Sequence, residues 1–471
     1  MSDAGRALGV GIDFGTTNST AAVFDGERLE FVGLEDGAPI MPSATYIDRA
    51  LQACVGQQAI DRYLAGNTGR TVEFIPEVIG TESEFVQHGD SENPAPLETA
   101  TKAIYGQPLI DSGLQGRLFR GMKRLLGDER TRRLMVFDHP FRVVALITPI
   151  LLHIRKRIRH AGVENCVRAH VGHPVNFEGR EPHRNRTALA RLSEACRHAG
   201  IHDQRPYAEP VAAAVRYLHG QPGLDGECLL TVDFGGGTLD FCVLHRRGDR
   251  FDVATTHGIA LGGDRIDQLL FQELLFPLLG KGEVWRRRGM SRDIETRFPF
   301  EDYEQLLLNW TVGYTLNQNR YTTAVMDCIA QGGPGGRKFG RLHELIRRNL
   351  GYLVFQSIKA FKAELSTMPM AVLDIPEIEV QVELTRPQFE ALIAEPLAAF
   401  AAALDETLAR AGVAAADVDI VLRTGGSNLI PAVRRILDER FPGRVVEQDP
   451  FTSVAAGLAI ADYCSDSANR P

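Results

Sequence analysis

The stretch LLTVDFGGGTLDFCVL, residues 229–244, repeats a pattern found near the start of the chain, where residues 11–24 read GIDFGTTNSTAAVF. Both segments contain an apolar run, then Asp-Phe-Gly, then small and hydroxyl-bearing residues, then a second apolar run. Their aspartates, Asp13 and Asp233, are 220 positions apart (233 − 13). Two apolar runs with glycine at the turn between them predict a β-hairpin in each place.

Each predicted hairpin carries residue types that suit a phosphate site. Glycine at a strand end lets backbone N–H groups approach a phosphate, because no Cβ intervenes and positive φ is accessible. The hydroxyls of Thr16, Thr17 and Thr238 add donors. Asp13 and Asp233 can face a hydrated magnesium ion, which prefers a few carboxylates together with water and phosphate oxygens. Two such hairpins facing each other across a cleft would bind one polyphosphate from both sides.

Other phosphate-binding classes fit the sequence less well. A protein kinase also carries Asp-Phe-Gly, but the H-R-D and V-A-I-K motifs are absent. No Walker motif Gly-x-x-x-x-Gly-Lys-Ser/Thr occurs, and the glycines of the first hairpin do not follow G-x-G-x-x-G. A third glycine pair, Gly425-Gly426, follows a predicted strand at residues 418–422. The repeat and this pair together favour phosphate binding over an ordinary turn.

Length, charge and cysteine usage exclude several classes of protein. A chain of 471 residues suits two or more domains. The net charge of −8 argues against nucleic acid as a partner, because phosphate neutralisation needs a basic face. The 7 cysteines never form C-x-x-C, which indicates reduced thiols. The first residues do not resemble a signal peptide, and the longest apolar run is too short for a bilayer. We therefore expect a cytoplasmic protein that does not bind membranes.

Beyond the hairpins, the sequence predicts a coarse secondary structure. Apolar residues at helical spacing, and clusters of glycine, proline and polar residues, mark the predicted elements. Helices are predicted at residues 182–199, 211–218, 342–365 and 386–411, and loops at residues 80–96 and 331–340.

The motifs and their order resemble a known family. The segments that carry the resemblance are GIDFGTTNS at residues 11–19, AEP at 208–210, VDFGGGTLD at 232–240 and TGGSNLIP at 424–431. Together they look like the nucleotide-binding domain of the seventy-kilodalton heat-shock (Hsp70) chaperones, within the actin and sugar-kinase superfamily. The resemblance implies an α/β, two-lobed, actin-like ATPase fold with duplicated ribonuclease-H-like cores and two outer insertion subdomains.

The resemblance also implies domain boundaries. Lobe I would comprise residues 1–220 plus 446–471, with an insertion at about 33–130, and lobe II residues 221–445, with an insertion at about 268–365. No segment of the sequence resembles the apolar linker and β-rich peptide-binding domain of the chaperones. We therefore expect a YegD-type short relative that binds no client peptide by the usual groove.

Individual residues receive roles from the resemblance. Asp13, Glu209 and Asp233 would hold Mg2+ through its water shell. Lys123 would reach the γ-phosphate and the attacking water, and Thr238 would act beside it as a catalytic residue. The residues that would contact ATP or ADP are Gly15, Thr16, Thr17, Asn18, Gly235, Gly236, Gly237, Asp240, Gly262, Gly263, Lys362, Ser366, Gly425, Gly426 and Ser427.

The adenosine end departs from the family pattern. Lys362 and Ser366 fit it, but Lys359 stands where the family has Glu. Leu429 stands where an Arg would stack on adenine, and Phe451 stands where an Asp would follow the proline. Two interpretations are open: the two apolar residues form a different base pocket, or base binding has weakened. We favour the first, because the residues assigned to hydrolysis are retained.

Three functional hypotheses follow. The first is a slow Mg-dependent ATPase whose lobe closure signals to an unknown protein partner. The second is a non-catalytic nucleotide sensor or scaffold with a degenerate adenine pocket. The third, an actin-like filament protein, is less favoured because the heat-shock motifs match more closely.

Overall fold

A computed structural model describes most of the chain. It covers residues 8–72, 74–75, 78–86, 98–105, 110–111, 113–163, 167–175, 177, 182–219, 225–248, 250–287 and 294–467. The predicted lobe boundary at residues 220–221, Cys166 and residues 87–96 of a predicted loop lie outside these ranges. Within the described ranges, no helix combines the length and apolar character that crossing a bilayer requires.

The elements of lobe I surround a sheet built on the first hairpin. The strands are β1 (Gly9–Phe14), β2 (Asn18–Phe24), β3 (Leu29–Phe31), β4 (Met41–Pro42), β5 (Ala44–Asp48), β6 (Ala53–Val55), β7 (Phe74–Ile75), β8 (Val78–Val86), β9 (Glu98–Tyr105), β10 (Ile110–Asp111), β11 (Gly116–Arg120), β12 (Arg133–Val136), β13 (His139–Arg142), β14 (Arg168–His173) and β15 (Asp203–Ala208). The helices are α1 (Gly56–Asn67), α2 (Val143–His160), α3 (Pro182–His198) and α4 (Glu209–Leu218).

The first sheet has the order β15-β14-β1-β2-β3, with β4 paired to β2. Its β1 is antiparallel to β2 and parallel to β14. Buried side chains of α2, such as Ile147 and Ile154, pack with Ile12 of β1 in one hydrophobic core. This burial fixes β1 in the middle of the first sheet.

Lobe II repeats the plan. Its strands are β16 (Cys228–Phe234), β17 (Leu239–Arg247), β18 (Arg250–Ile259), β19 (Val284–Arg287), β20 (Ile294–Arg297), β21 (Met370–Ile375), β22 (Val380–Thr385), β23 (Ile420–Thr424) and β24 (Val445–Glu447). The helices that follow α4 in the chain are α5 (Gly263–Leu270), α6 (Glu301–Leu307), α7 (Asn319–Ala330), α8 (Gly333–Arg347), α9 (Gly351–Thr367), α10 (Arg386–Leu392), α11 (Ala394–Ala411), α12 (Pro431–Arg440) and α13 (Ser453–Ser467).

The second sheet has the same strand directions as the first. Its order is β18-β17-β16-β23-β24, with β16 antiparallel to β17 and parallel to β23. The two predicted hairpins are therefore confirmed as β1-β2 and β16-β17, and the predicted duplication of an α/β core is confirmed with them. The sequence predicted that the chain re-enters lobe I at residue 446. In the structure that residue lies inside β24 of the second sheet, and the next helix, α13, packs on the first sheet.

Helices α4 and α13 lie between the two sheets. One face of α4 contributes Ala214 and Leu218 to a core shared with the second sheet, whereas α13 packs on β1 and β2. The two helices approach so closely that a Cβ placed on Gly457 would lie 1.7 Å from the carbonyl oxygen of Ala212. Glycine is needed there because no side chain would fit.

The insertions of the two lobes touch each other. Tyr63 of α1 packs edge-to-face with Trp310 and with Tyr352 of α9, with ring centroids 5.6 Å apart in both cases. The Arg120 guanidinium donates to the Tyr352 hydroxyl at 3.0 Å. These contacts join the outer parts of the lobes beyond the hairpins.

Two predicted helices are each divided in two. The predicted helix at 342–365 is wrong in its middle, because α8 ends before Asn349, whose φ of 50° is left-handed and cannot continue a helix. The predicted helix at 386–411 breaks at Ile393 between α10 and α11. The helix predicted at 211–218 is confirmed but begins at Glu209, because Pro210 is compatible with the first helical turn.

Two predicted loops and one strand also differ from the structure. The loop predicted at 331–340 is mostly the start of α8, because burial of Phe339 in the lobe II core outweighs the low helix propensity of its glycines. The loop predicted at 80–96 begins instead within β8. The strand predicted at 418–422 lies two residues later, as β23.

Candidate functional site

The two hairpins place their aspartates at equivalent positions in the two sheets. Asp13 is opposite Thr20 across β1 and β2, and Asp233 is opposite Asp240 across β16 and β17. Each aspartate is the last residue but one of its strand. The repeated sequence therefore produces a repeated geometry.

Both hairpin turns line one cleft between the lobes, with a volume of about 130 Å³. The predicted site residues that line it are Asp13, Gly15, Thr16, Thr17, Asn18, Lys123, Glu209, Asp233, Gly235, Gly236, Gly237, Thr238, Gly425 and Gly426. The other predicted site residues stand outside this lining, and they are Asp240, Gly262, Gly263, Lys362, Ser366 and Ser427. The predicted phosphate contacts thus line the cleft, whereas Lys362, Gly263 and Ser427 are close to one another outside its lining.

Lys123 and Glu209 form a buried ion pair in the cleft. The Lys123 ammonium lies 2.6 Å from Glu209 Oε1, and the two residues are 6% and 8% exposed. Lys123 follows a left-handed turn at Gly121, and Glu209 is the first residue of α4. Burial lowers the pKa of Lys123, but Glu209 and Asp13 outweigh it and raise the pKa above its usual value. The cleft therefore contains a fixed positive charge.

The aspartates of the cleft have strongly raised pKa values. Burial, and then the nearby Glu209 carboxylate, raise the pKa of Asp13 to about 8, against the opposing effect of Lys123. Burial and Glu209 likewise raise the pKa of Asp233 to about 7. Three carboxyl groups close to a single ammonium do not all ionise easily, and a bound cation would favour their ionised forms.

Asp240 stabilises the second hairpin from a position in β17 outside the cleft lining. Its Oδ2 accepts a hydrogen bond from the Thr238 hydroxyl at 2.8 Å, and its Oδ1 is buried with no hydrogen-bond partner among the described residues. Burial and the neighbouring Asp233 hold the pKa of Asp240 well above its usual value. Asp240 therefore fixes the direction of the Thr238 hydroxyl.

The hairpin turns contact each other across the cleft. A Cβ placed on Gly236 would lie 2.3 Å from the Thr17 hydroxyl. The side chains of Thr16, Thr17 and Asn18 make no hydrogen bond within the described part of the chain, so their donors are available to a ligand. Glycine at position 236 leaves the space that a second turn or a phosphate needs.

Gly262 and Gly263 support the second turn rather than lining the cleft. The Gly263 amide donates to the Gly235 carbonyl oxygen at 3.0 Å. A Cβ placed on Gly262 would lie 2.3 Å from the Gly236 carbonyl oxygen. Ser427 adds a further contact, because its hydroxyl donates to Gly235 at 2.9 Å.

The third glycine pair closes the cleft beside Asp233. Gly425 has a φ of +83°, and a Cβ there would lie 2.5 Å from Asp233 Oδ1. Its amide donates to the Pro450 carbonyl oxygen at 3.2 Å. This turn therefore requires glycine on two grounds, conformation and space.

Lys359 and Lys362, both on α9, form ion pairs with acidic residues of α5. The Lys362 ammonium lies 2.6 Å from Asp267 Oδ1, and Lys359 lies 2.9 Å from Asp264 Oδ1. The Ser366 hydroxyl donates to the Lys362 backbone carbonyl at 3.1 Å. The two predicted adenosine contacts, Lys362 and Ser366, are thus engaged in bonds within lobe II.

Phe451 and Leu429 are exposed apolar side chains near the Gly425-Gly426 turn. Phe451 lines the cleft and is 36% exposed, and Leu429 is 43% exposed. A Cβ on Gly426 would lie 3.3 Å from the Phe451 ring, so the ring packs on that glycine. A partly exposed aromatic ring is therefore present in the cleft lining.

Arg124 is a cleft residue that the sequence prediction missed. Its guanidinium donates to the Gly236 carbonyl oxygen at 3.2 Å and lies 2.6 Å from Asp264 Oδ2. Arg124 belongs to lobe I and both partners to lobe II, so the contacts bridge the lobes. The only sequence signal was its position directly after Lys123.

The carboxylates of the cleft do not form a three-ligand metal cluster in the described part of the chain. Among the described residues, no three His, Cys, Asp or Glu side chains are grouped as ligands of one ion. This spacing is compatible with the predicted contact of Asp13, Glu209 and Asp233 through water.

A comparison with known families places this site in context. The sequence model described as "Hsp70 protein" matches residues 9–121, 139–279 and 353–465. The chain belongs to the Hsp70 family. The matched segments contain both hairpins and Glu209, whereas Lys123 lies between two of them. Hsp70 membership supports a chaperone-related, nucleotide-binding protein.

Curated relatives agree with this assignment. The chain is 28% identical over 464 residues to "Chaperone protein HscA homolog" of Pseudomonas fluorescens, which covers 97% of this chain and 57% of that protein. It is 25% identical over 454 residues to "Heat shock 70 kDa protein BIP3" of Oryza sativa, covering 96% of this chain and 56% of the relative. It is 23% identical over 483 residues to "Chaperone protein DnaK" of Deinococcus deserti, and this match covers 98% of this chain and 60% of the relative. The chain thus spans somewhat more than half the length of these Hsp70 relatives.

Proposed function

We propose that the protein is a slow Mg-dependent ATPase that binds ATP between its lobes and signals to a protein partner through their closure. The observation that carries the proposal is the buried Lys123–Glu209 ion pair beside Asp13 and Asp233, where the two hairpin turns meet. Phosphoryl transfer to water needs mainly positioned charges and donors, and this cleft supplies both.

The residues of the cleft fit a magnesium–polyphosphate ligand. Asp13, Glu209 and Asp233 would hold Mg2+ through water. Burial and then the Glu209 carboxylate raise the pKa of Asp13 and of Asp233, so a bound cation would favour the ionised forms of both. The ion would neutralise phosphate oxygens when bound. Unpaired hydroxyls of Thr16 and Thr17 line the same cleft, so each lobe offers donors and carboxylates to one ligand.

Lys123 and Glu209 would position the reacting groups. The Lys123 ammonium would bind the terminal phosphate and stabilise charge that develops on it, because its own charge is fixed by Glu209. Glu209 would accept a hydrogen bond from the attacking water. Asp240 holds the Thr238 hydroxyl in the second hairpin, and this hydroxyl would leave Asp240 to donate to a phosphate oxygen when nucleotide binds.

The base would stack on Phe451. An aromatic ring binds any base by its π-face, so stacking gives affinity without base selection. Lys359 and Lys362 are held by Asp264 and Asp267 and do not line the cleft, whereas the Phe451 ring does. This supports Phe451 as part of the predicted apolar base pocket, but not Leu429, which stands outside the cleft lining.

The size of the cleft supports the proposed lobe motion. Its volume of about 130 Å³ is smaller than the roughly 300–1,000 Å³ of a pocket for a drug-sized ligand. ATP would therefore enter only after the lobes separate and the Arg124–Asp264 contact breaks. Such hinge motion is the movement that a partner protein would sense. The lack of a nucleic-acid or membrane partner and a cytoplasmic location remain part of the same proposal.

A non-catalytic nucleotide sensor is the second candidate. One observation favours it. Lys359, which stands where the family pattern has a Glu that contacts adenosine, forms an ion pair with Asp264 instead. A sensor would bind nucleotide and close without turnover.

Phosphate release by the Glu209→Gln variant separates the two candidates. We expect the wild-type protein to hydrolyse ATP only with Mg2+ and the variant to lose at least about 100-fold in rate, as for other groups that stabilise a transition state. Nucleotide binding, followed by the shift in melting temperature, should persist in both. Unchanged hydrolysis in the variant would refute the catalytic role, and binding without hydrolysis in the wild type would identify a sensor.

A further inference from the structure

Lobe I contains a second concavity that shares no lining residue with the cleft between the lobes. Its volume of about 820 Å³ lies within the range of ligand-binding pockets, roughly 300–1,000 Å³. We call it the lobe I groove and define it by its lining, which comprises Ala53, Cys54, Val55, Gln58, Pro140, Phe141, Arg142, Val144, Ala145, Thr148, Pro149, Leu152, His153, Lys156 and His198.

One wall of the groove is the free edge of a sheet. Strand β6 lies at the end of the order β11-β5-β6, and no other strand of the described residues pairs with it. Its three residues Ala53, Cys54 and Val55 all line the groove. A groove over one face of a strand would be lined by alternate residues only. The groove therefore follows the strand edge, where backbone N–H and C=O groups are available.

The opposite wall is α2, which also offers a backbone acceptor. Pro149 lies inside this helix and has no N–H, so the carbonyl oxygen of Ala145 loses its helical donor. Both residues line the groove, and Ala145 is exposed. A ligand donor can therefore satisfy that carbonyl.

The floor of the groove is apolar. Leu152 and Val144 of α2 and Phe141 of β13 contribute side chains to it. Val144 is 4% exposed and belongs to the lobe I core, so this part of the floor is rigid. Apolar side chains of a ligand would be buried there.

The rim of the groove is basic. Arg142 forms two hydrogen bonds to Glu194, at 2.6 and 2.7 Å, and His198 lies 3.4 Å from the same carboxylate. His153 is bonded to the Leu34 carbonyl oxygen. Exposed Lys156 forms no ion pair with any described residue. A net positive rim with one uncommitted ammonium selects a carboxylate.

We propose that the lobe I groove binds an extended, acidic peptide segment of a partner protein, which adds a strand to β6. Main-chain hydrogen bonds to the strand edge would give affinity, and apolar side chains on alternate positions would occupy the floor. A carboxylate of the segment would pair with Lys156. The groove and the nucleotide cleft share no residue, so binding of this segment can be tested without any nucleotide.

Fluorescence anisotropy with labelled peptides tests the proposal on the full chain. The probe is a peptide of about seven alternating Val and Glu residues, long enough to form one strand. The first comparison peptide has Lys in place of Glu, and the second keeps the side chains but carries N-methyl groups on alternate amides. We expect the acidic peptide to bind and both comparison peptides to bind at least about tenfold more weakly, because charge-assisted and main-chain hydrogen bonds are lost.

Two variants locate the site. Lys156→Glu should weaken binding of the acidic peptide at least about tenfold, whereas Arg159→Glu, an equal change of charge on the same helix outside the groove, should alter it by less than about twofold. Ala145→Trp fills the groove from an exposed position and should abolish binding, with an unchanged melting temperature as evidence of folding. Protection of Cys54 from alkylation by the bound acidic peptide, read by mass spectrometry, gives an independent measure.

Three results would overturn the proposal. The first is no binding of the acidic peptide at about 1 mM, a concentration that detects even weak complexes. The second is an equal loss in Lys156→Glu and Arg159→Glu, which would mean a diffuse charge effect. The third is full binding of the N-methylated peptide, which would exclude strand addition.

Discussion

The guanidinium of Arg124 lies 2.6 Å from the Asp264 carboxylate, and this ion pair joins lobe I to lobe II across the nucleotide cleft. The two side chains are 30% and 31% exposed, so solvent screens the attraction. Pairs of this kind contribute about 0.5–1 kcal/mol. Breaking it should favour the open arrangement of the lobes by a modest amount.

We expect Asp264→Asn to release bound nucleotide roughly two to five times faster, which corresponds to that free energy. Stopped-flow release of a fluorescent nucleotide measures the rate. Lys359→Gln is the control, because Asp264 also pairs with Lys359 within lobe II at 2.9 Å, and this variant removes that second pair while it keeps Arg124–Asp264. Equal rates in both variants would show that the pair does not restrain the lobes.

Phe451→Ala should weaken ATP and GTP binding to a similar degree. Loss of aromatic stacking costs about 1–3 kcal/mol for any base, which is roughly 5- to 150-fold in affinity. Phe31→Ala serves as the control, since Phe31 is 37% exposed against 36% for Phe451 and does not line the cleft. Calorimetric titration gives the affinities. A selective loss of ATP binding would contradict a stacking role without base selection.

Gly425→Ala should destabilise the protein and displace Asp233. The added Cβ would sit 2.5 Å from Asp233 Oδ1, and the φ of +83° is strained for alanine. Backbone strain alone costs about 1–3 kcal/mol, and the clash adds to it. Gly412→Ala isolates the strain, because Gly412 has a φ of +65° with nothing within 4 Å. Denaturant unfolding should show a larger loss for Gly425→Ala, and equal losses would disprove the clash.

His170 should make the fold sensitive to acid. Burial lowers its pKa below 6.5, and Arg205 and Arg168 act in the same direction, against the opposing effect of Asp462. The unfolded chain then takes up a proton first as pH falls below about 6.5, so stability is lost on acidification. His170→Phe retains the stacking on Tyr207 and removes the titration.

The test is the free energy of unfolding at about pH 7.5 and pH 5, on either side of the ordinary histidine pKa. The wild-type protein should lose more stability than His170→Phe over this range. His139→Asn, at an exposed position, should follow the wild type. If His170→Phe lost as much free energy of unfolding between the two pH values as the wild type, His170 would not cause the sensitivity to acid.

Local sequence signals predicted the hairpins well and the buried ion pair of the cleft poorly. Each hairpin is defined by an apolar run, a glycine turn and a second run within about 14 residues, so its geometry is encoded nearby. Lys123 and Glu209 are 86 positions apart, and nothing in their own surroundings indicates that they meet. Only the family resemblance identified them. Arg124 had no such pattern and was missed.

The errors in secondary structure have a common physical cause. Glycines at residues 332–340 indicate a loop by propensity, but burial of Phe339 stabilises a helix there. The apolar periodicity continues on both sides of Asn349, but its left-handed φ ends the helix there. The Asn349 side-chain amide donates to the Asn67 carbonyl oxygen of lobe I at 3.1 Å. Tertiary contacts decided both outcomes, and a local pattern does not contain them.

The packing of α13 on the first sheet sets an order of events during synthesis. Asp462 accepts a hydrogen bond from the Val10 amide across 452 positions, and Gly11 admits the backbone of α13, since a Cβ there would lie 2.2 Å from the Ala455 carbonyl oxygen. During synthesis the surface of β1 thus stays uncovered until α13 has been made. Lobe I would remain incomplete, and exposed to proteases and aggregation, throughout translation of lobe II. A protein related to chaperones would itself depend on protection while it is being made.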